Sequence, residues 1–193
     1  MPRPSKTQIR SAIRTALLQE VAEKGIGAVS MAAVAKRAKV APGTLYLHFD
    51  SKEQMLQALY LEIKTEFHAI MVAAQQEPTS RAMIRRMWLD MFDYVRANPQ
   101  AFLFVEYAGA AQILSPEQSN SIAHMQDEIR AMLQAAIDDG TLAPLPVRTV
   151  TVLLVAPAMH LARMALMTNE HPTQGEIDLT YDRVWRSICA DGQ

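Results

Sequence analysis

Cysteine, glycine and aromatic residues are scarce in this chain, and each shortage excludes a class of protein. The 193 residues contain one cysteine, so an internal disulfide framework is excluded. Glycine contributes 7 residues and aromatic side chains 6%, whereas Ala, Leu and Met are common, a composition that favours helices over strands. The sequence therefore predicts an all-α fold.

The motifs of the common enzyme and metal-binding classes are also missing. No Gly-rich phosphate loop, nucleophile elbow or Cys/His cluster at metal-ligand spacing occurs. His124 and Glu128 lie one helical turn apart, but a lone pair is a weak signal for a metal site. We expect a protein that is not an enzyme and that uses neither a cofactor nor a metal ion.

No apolar N-terminal segment resembles a secretion signal, so we expect a cytoplasmic protein. The most apolar stretch, residues 150–159, has about half the length that a membrane span requires. It also contains Pro157, which is expected to kink a helix by removing a backbone donor. We therefore expect no membrane partner.

The net charge of −1 conceals an uneven distribution of charge along the chain. Residues 1–54 contain nine Lys and Arg against four Asp and Glu, a net charge of +5, and the remainder carries −6. A basic end on an acidic body suits a protein that approaches a polyanion with one end only. The charge pattern thus indicates nucleic acid as a partner of the N-terminal part, with chance clustering as the alternative.

Pro, Gly and capping residues divide the chain into about nine predicted helices. The first covers residues 6–24 and ends at Gly25 in a predicted left-handed cap. Ser30 is the predicted N-cap of a short second helix, 31–38, and a third helix covers 42–49. Two short helices joined by a tight turn need a small residue at their contact, and Ala35 meets that need. This spacing predicts a helix-turn-helix.

The third helix is the one that a helix-turn-helix lays in the major groove, and Thr44, Tyr46 and His48 are its candidate DNA-facing side chains. Lys52 stands in the first turn of the next predicted helix, where a cation is unfavourable unless an anion is near. A DNA phosphate would be that anion, and the N-terminus at Ser30 is a second candidate phosphate site. Pairing of Lys52 with Asp50 in solvent is the alternative.

The segment 43–53, GTLYLHFDSKE, resembles the signature of the tetracycline-repressor (TetR) family, and the resemblance covers roughly residues 9–59. It implies that Leu45 and Phe49 are core residues. It also implies a DNA-binding set that we take to be Ser30, Lys39, Pro42, Gly43, Thr44, Tyr46, His48 and Lys52. Two positions depart from the commonest pattern: Lys39 replaces a frequent Gly in the turn, and Ala41 replaces a frequent Ser cap. Arg3, Lys6 and Arg10 are either further DNA contacts or part of a solvated tail.

The resemblance divides the chain into a helix-turn-helix domain, residues 1–52 with its motif at about 29–49, and a helical effector-binding and dimerisation domain, residues 53–193. Met-rich interiors adapt to varied apolar shapes, so a pocket for a hydrophobic or amphipathic ligand is expected there. Its candidate residues are Met87, Trp88, Met91, Tyr107, His160, Arg163 and Met164. His160 and Arg163 would contact the ligand, Glu106 or a partner subunit.

The last two predicted helices resemble the pair that forms the dimer bundle in this family. The candidates for the seam are Leu153, Leu154, Leu161, Val184, Trp185 and Ile188. Together these features predict a homodimeric repressor that binds a palindromic or pseudopalindromic DNA operator and responds to a small-molecule effector. The rival interpretation is a helical adaptor that binds another protein and has no ligand control.

Overall fold

The structure, a computed structural model, describes residues 5–110 and 112–190. Over these residues it contains nine α-helices and no strand, which confirms the predicted all-α class. The helices are α1 (Lys6–Lys24), α2 (Met31–Arg37), α3 (Pro42–Tyr46), α4 (Lys52–Ala73), α5 (Ser80–Ala97), α6 (Pro99–Ala110), α7 (Pro116–Asp138), α8 (Val147–Thr168) and α9 (Gln174–Ile188). Short 3-10 turns cover Ile26–Ala28 and Ala74–Gln76.

Polar side chains begin several of these helices, the predicted N-cap Ser30 among them. Ser30 Oγ accepts from the backbone N–H of Ala33 (3.2 Å), and Ser51 Oγ accepts from that of Gln54 (3.1 Å). Each bond satisfies one of the backbone donors that the first turn leaves without a helical partner. The sequence therefore set the starts of α2 and α4 through local chemistry.

The left-handed cap predicted at Gly25 is not formed. Its φ of 77° is positive, but its ψ of 158° lies far from the left-handed helical region. The chain leaves α1 there and enters the 3-10 turn Ile26–Ala28 at once, which requires the extended ψ. Glycine is still suited to the position, because a positive φ is disfavoured for residues with a Cβ atom.

The chain divides into two compact units. The first unit contains the chain through Lys64 together with Gln100–Ser119, and the second contains Thr65–Pro99 and the chain from Asn120. In the first unit α2 packs against both α1 and α3. Its core includes Ile13, Leu17, Val21, Val34, Leu45, Met55 and Ile63. These borders follow packing rather than function, and the functional boundary at residue 52 stays a prediction.

In the second unit α8 packs against α5 and α9 with its small side chains. The buried residues of α8 are Val150, Leu154, Ala158, Ala162 and Ala165, spaced three or four apart. Small residues let two helix axes approach closely. Large side chains are buried on α5 and α9, among them Trp88, Tyr181 and Trp185.

Candidate DNA-binding surface

A buried carboxylate joins α1 to α2 and so holds the helix-turn-helix together. Glu20 on α1 is 3% exposed, and it accepts hydrogen bonds from Lys24 Nζ and Arg37 Nε, each 2.7 Å long. Arg37 on α2 also binds Glu23 on α1. The hydrogen bond from Lys24, supported by that from Arg37, holds the pKa of Glu20 below its usual value despite burial. Glu20 is therefore ionised at neutral pH and clamps the two helices.

The turn between α2 and α3 bonds back to Ala35, the small residue of α2 that was predicted for the contact of the two helices. Ala35 is buried, and its carbonyl oxygen accepts from the backbone N–H of Val40 (3.0 Å). Lys39 has a φ of 56°, in the left-handed region that glycine occupies at least cost. This conformation explains why glycine would be favoured at the position. The side chain of Lys39 is exposed, as a phosphate contact would require.

The recognition helix α3 is shorter than predicted but has the expected inner face. Leu45 is fully buried, which agrees with its implied core role, whereas Phe49 is half-buried. Pro42 occupies the first turn, and Ala41 offers no side-chain cap. Of the predicted DNA-facing side chains, Tyr46 is 56% exposed, whereas Thr44 and His48 are half-buried.

Lys52 binds the backbone rather than the neighbouring Asp50. Its Nζ donates to the carbonyl oxygen of Gly27 over 2.8 Å, while Asp50 bonds with Gln54. The start of α4 is thereby tied to the 3-10 turn that precedes α2. An ammonium group has three N–H donors, so this bond does not exhaust its capacity. The predicted phosphate contact remains compatible with the geometry.

Arg10 and Arg14 on α1 both contact Glu62 on α4. The longer of these contacts joins Arg10 Nη2 to Glu62 Oε2 over 3.5 Å. The exposed Lys6 begins the same helix. Arg3, the remaining candidate of the N-terminal arm, lies outside the described residues.

The seven residues predicted to form a ligand pocket lie in different environments, and the pocket stays a prediction. Met87, Trp88 and Met91 are buried in the core of the second unit, and Tyr107 is an exposed residue of the first unit. On α8, His160, Arg163 and Met164 are exposed. The core-facing residues of α8 are Val150, Leu154, Ala158, Ala162 and Ala165, so these three side chains lie on the outer side of the helix.

Several cavities lie within single units, among them an open groove of about 600 Å³ along α1 beside Arg37 and Ala38. A cavity of about 360 Å³ in the first unit is lined by Tyr60, Ala108, Gly109, Gln112, Ile113, Leu114 and Ser119. A smaller cleft of about 80 Å³ lies between α5, α8 and α9 in the second unit. At the cavity of about 360 Å³, burial and the Glu106 carboxylate raise the pKa of Tyr60, so its hydroxyl stays protonated at neutral pH.

The dimer seam proposed from the sequence also needs correction. Leu154, Val184, Trp185 and Ile188 are buried within the chain itself, and Leu153 and Leu161 are half-buried. A side chain enclosed by its own subunit is not available to a second copy. The large apolar side chains that α8 and α9 do expose are Val152, Val155, Met164, Met167 and Leu179.

Helix α8 is long and apolar enough to cross a membrane, judged by length and composition alone. The helix has 22 residues and includes the apolar stretch 150–159. One such helix is weak evidence for a membrane span, because packing within a soluble protein selects the same composition.

Glu128 of α7 contacts two histidines in the second unit. One carboxylate oxygen lies 2.8 Å from His68 Nε2 and the other lies 3.4 Å from His124 Nε2. Over residues 5–110 and 112–190, no group of three or more His, Cys, Asp or Glu side chains is placed to hold a metal ion.

Helices α2 and α3, with their tight turn and the supporting α1, define a helix-turn-helix DNA-binding protein. Residues 13–59 match the family model of bacterial regulatory proteins of the tetR family. Residues 54–189, more than half of the chain, match the model of a tetracyclin repressor-like C-terminal domain. The chain belongs to the TetR family of transcriptional regulators.

Individual relatives agree with this assignment. An uncharacterised HTH-type transcriptional regulator of Haemophilus influenzae is 30% identical over 98 residues, which cover 50% of this chain and 52% of the relative. The HTH-type transcriptional repressor KstR of Rhodococcus jostii is 33% identical over 114 residues, covering 54% and 52%. The chain thus spans about half the length of these relatives.

The fold is also that of solved structures from the family. A TetR family transcription regulator from Marinobacter aquaeolei VT8 superposes with a TM-score of 0.85 at 23% identity, covering 95% of this chain and 97% of the other. Because the identity is this low, the likeness concerns the fold.

The sequence did not predict three features of the helix-turn-helix region. They are the burial of Glu20, the hydrogen bond from Lys52 to the carbonyl oxygen of Gly27, and the exposure of Leu47. The first two join residues 17 and 25 positions apart, and no local pattern reports such contacts. For Leu47 a signal existed, because it lies two residues from the core position Leu45 on a helix.

Proposed function

We propose that this protein is a cytoplasmic repressor that binds a palindromic or pseudopalindromic operator as a homodimer and releases it when a small ligand binds. It acts by binding alone and catalyses no reaction. The observation that carries the proposal is the arrangement of α3, with its inner face buried and Tyr46 presented to solvent beside the polar Thr44 and His48. An outward face of this kind suits insertion into the major groove.

The DNA-contacting residues follow from this placement. Tyr46, Thr44 and His48 would face the groove, with the exposed Pro42 and Gly43 at the start of α3 permitting close approach. Ser30, Lys39 and Lys52 would contact phosphates on either side. Phosphate contacts position the protein, whereas contacts to base edges select the sequence.

The proposed homodimer rests on the exposed apolar side chains of α8 and α9. Val152 and Val155 lie on one part of α8, Met164 and Met167 lie near its end, and Leu179 lies on α9. Contiguous exposed apolar surface marks interaction sites in soluble proteins. A second copy of the same two helices would cover it, and a twofold dimer would present two α3 helices about one DNA turn, 34 Å, apart.

Ligand control is supported by the cavity of about 360 Å³ in the first unit. Its volume falls within the range of roughly 300–1,000 Å³ that small-molecule sites occupy. Tyr60 on α4 lines this cavity, and Lys52 begins the same helix. A ligand at Tyr60 would therefore act on the helix whose first residue is tied to the helix-turn-helix. The name of the Rhodococcus jostii relative, a transcriptional repressor, supports repression as the mode of action.

A gel-shift titration against salt concentration tests the proposal. Duplex DNA from a random-sequence library is incubated with the protein, and the bound duplexes are enriched. The dissociation constant of an enriched duplex is then measured between about 50 and 200 mM salt, because affinity that depends on phosphate contacts falls steeply over this range. We expect enrichment of a palindromic sequence and a steep negative slope of log affinity against log salt. Absence of duplex binding at the lowest salt would overturn the proposal and favour a protein-binding adaptor.

A further inference from the structure

Leu47, directly after the last residue of α3, is the most exposed large apolar side chain in the described part of the protein, at 85%. Its backbone is helical (φ −74°, ψ −15°), and its N–H donates to the carbonyl oxygen of Gly43 over 3.2 Å. The helical geometry of α3 thus extends to Leu47. Its side-chain direction follows from the positions of its neighbours.

Successive residues of an α-helix are separated by about 100° around the axis. Leu47 follows the fully buried Leu45 by two positions and therefore points about 200° away from it. Phe49, four positions after Leu45, lines a small gap with Ile13, Leu17 and Met55, while Thr44 and His48 are half-buried. Leu47 thus points more directly outward from α3 than the polar side chains predicted to face DNA.

The exposure of Leu47 is not an isolated case of a surface leucine. Eight large apolar side chains are exposed in the described residues, and five of them lie on α8 and α9. Two of the other three, Tyr46 and Leu47, are adjacent at the end of α3. Exposed apolar side chains therefore concentrate where the protein is proposed to meet a partner, and Leu47 belongs to the DNA-facing group.

A leucine side chain neither donates nor accepts a hydrogen bond, so it can recognise only an apolar group on the DNA. Along the major-groove edge of the four natural base pairs, the apolar group is the C5-methyl of thymine. We propose that Leu47 is a specificity-determining residue that selects thymine at one position of each operator half-site by packing against this methyl group. The inference rests on the proposed DNA-binding function and adds to it a base preference.

A protein–DNA double-mutant cycle tests the inference. The duplex enriched from the random library by the wild-type protein is resynthesised with each thymine replaced in turn by deoxyuridine, which removes only the methyl group. Dissociation constants are then measured for the wild type, Leu47→Ala and Leu47→Met. Because Leu47 is exposed, neither variant should alter the fold, and circular dichroism with thermal melting checks this directly.

We expect one thymine in each half-site at which deoxyuridine weakens wild-type binding about fourfold, the factor that burial of one methyl group provides. Leu47→Ala should bind the thymine and deoxyuridine duplexes equally, whereas Leu47→Met, which keeps an apolar side chain, should retain the discrimination. Equal binding of all duplexes by the wild type would overturn this inference alone, as would discrimination that survives in Leu47→Ala. Failure to enrich any duplex would overturn it together with the proposed function.

Discussion

Lys52, the first residue of α4, donates from Nζ to the carbonyl oxygen of Gly27 across 25 positions of sequence. Gly27 belongs to the 3-10 turn that leads into α2, whose N-cap is Ser30. The Lys52 ammonium group is thus fixed to the turn that precedes Ser30, the second candidate phosphate site, and does not move freely in solvent. Holding a charged group in place lowers the entropy that it loses on binding DNA.

Replacement of Lys52 by Ala should weaken binding of all duplex sequences by a similar factor, because a phosphate contact carries no sequence information. The slope of log affinity against log salt should become less steep by about 0.9 for each phosphate that is no longer neutralised, hence by roughly 2 in a dimer. Gel shifts at several salt concentrations measure both quantities.

Two control variants show whether the effect comes from the positive charge at position 52. Lys52→Arg keeps the positive charge and should retain most of the slope. Arg130→Ala removes a cation of α7 that pairs with Asp127 and should leave the slope unchanged. If Lys52→Ala binds DNA with the affinity and the salt slope of the wild type, the phosphate contact assigned to Lys52 is refuted.

Replacement of Glu20 by Gln should lower the free energy of unfolding by about 2 kcal/mol, the range of hydrogen bonds to a charged group. The amide has the same shape, but it lacks the negative charge that binds Lys24 and Arg37. Urea denaturation followed by circular dichroism measures the loss. Glu23→Gln is the matched control, since Glu23 binds the same arginine but is exposed, and its effect should be smaller.

Acid should destabilise the protein as the pH falls below about 4.5, the ordinary pKa of glutamate. In the folded state the hydrogen bond from Lys24 lowers the pKa of Glu20, and the side chain of Ser80 lowers that of Asp139. Carboxylates whose pKa is lower in the folded state stabilise it above the unfolded pKa and lose that contribution as the pH falls through the folded pKa. Melting temperatures between pH 7 and 3 test this expectation.

The Glu20→Gln variant provides the comparison for the acid experiment. Its melting temperature should lie below that of the wild type at pH 7, and the difference should shrink toward pH 3 as Glu20 becomes protonated. A difference that stays constant over this range would contradict the assigned ionisation of Glu20.

Replacement of Val152 by Asp should convert a dimer to a monomer at micromolar concentration, because the substitution places a charge within the proposed apolar interface. Val152 is exposed on α8, so the change should leave the subunit folded. Sedimentation velocity measures the mass of the particle. Ala131→Asp, an exposed position on α7, is the control and should remain dimeric. A wild type that sediments as a monomer, or a dimeric Val152→Asp, would contradict the proposal.

Replacement of Tyr181 by Phe should leave stability unchanged or raise it by roughly 1 kcal/mol, because removing a buried hydroxyl without a partner removes a desolvation penalty. The Tyr181 hydroxyl is buried and has no hydrogen-bond partner among the described residues, and burial raises its pKa to about 12. The ring contacts with Trp88 and Trp185 should be retained, since phenylalanine has the same ring. A clear loss of stability on urea denaturation would show that the hydroxyl is bonded.

The sequence by itself determined the features that depend on neighbouring residues. Ser30 and Ser51 begin helices because their hydroxyl groups accept from N–H groups three residues ahead. Ala35 was predicted as the contact residue of two short helices and Leu45 as a core residue from the family resemblance, and both are buried. The family motif at 43–53 is equally local, so the helix-turn-helix could be recognised before its geometry was known.

Only the tertiary structure decided which side of α8 faces inward. Apolar residues occur almost all around this helix, so periodicity could not distinguish a core face from an interface, and the larger side chains were taken for the seam. The structure buries the alanines at 158, 162 and 165 against α5 and α9 and turns Val152 and Met167 to solvent. Close helix packing favours small residues, and this depends on the partner helices rather than on α8 itself.

The partners of the charged side chains were likewise decided by the tertiary structure. The sequence determined that the N-terminal part is basic, but only the fold placed Glu20 against Arg37 and Lys52 against Gly27. Local patterns report contacts within about one helical turn, whereas these pairs are 17 and 25 residues apart. Their partners are selected by how α1, α2 and α4 meet in space.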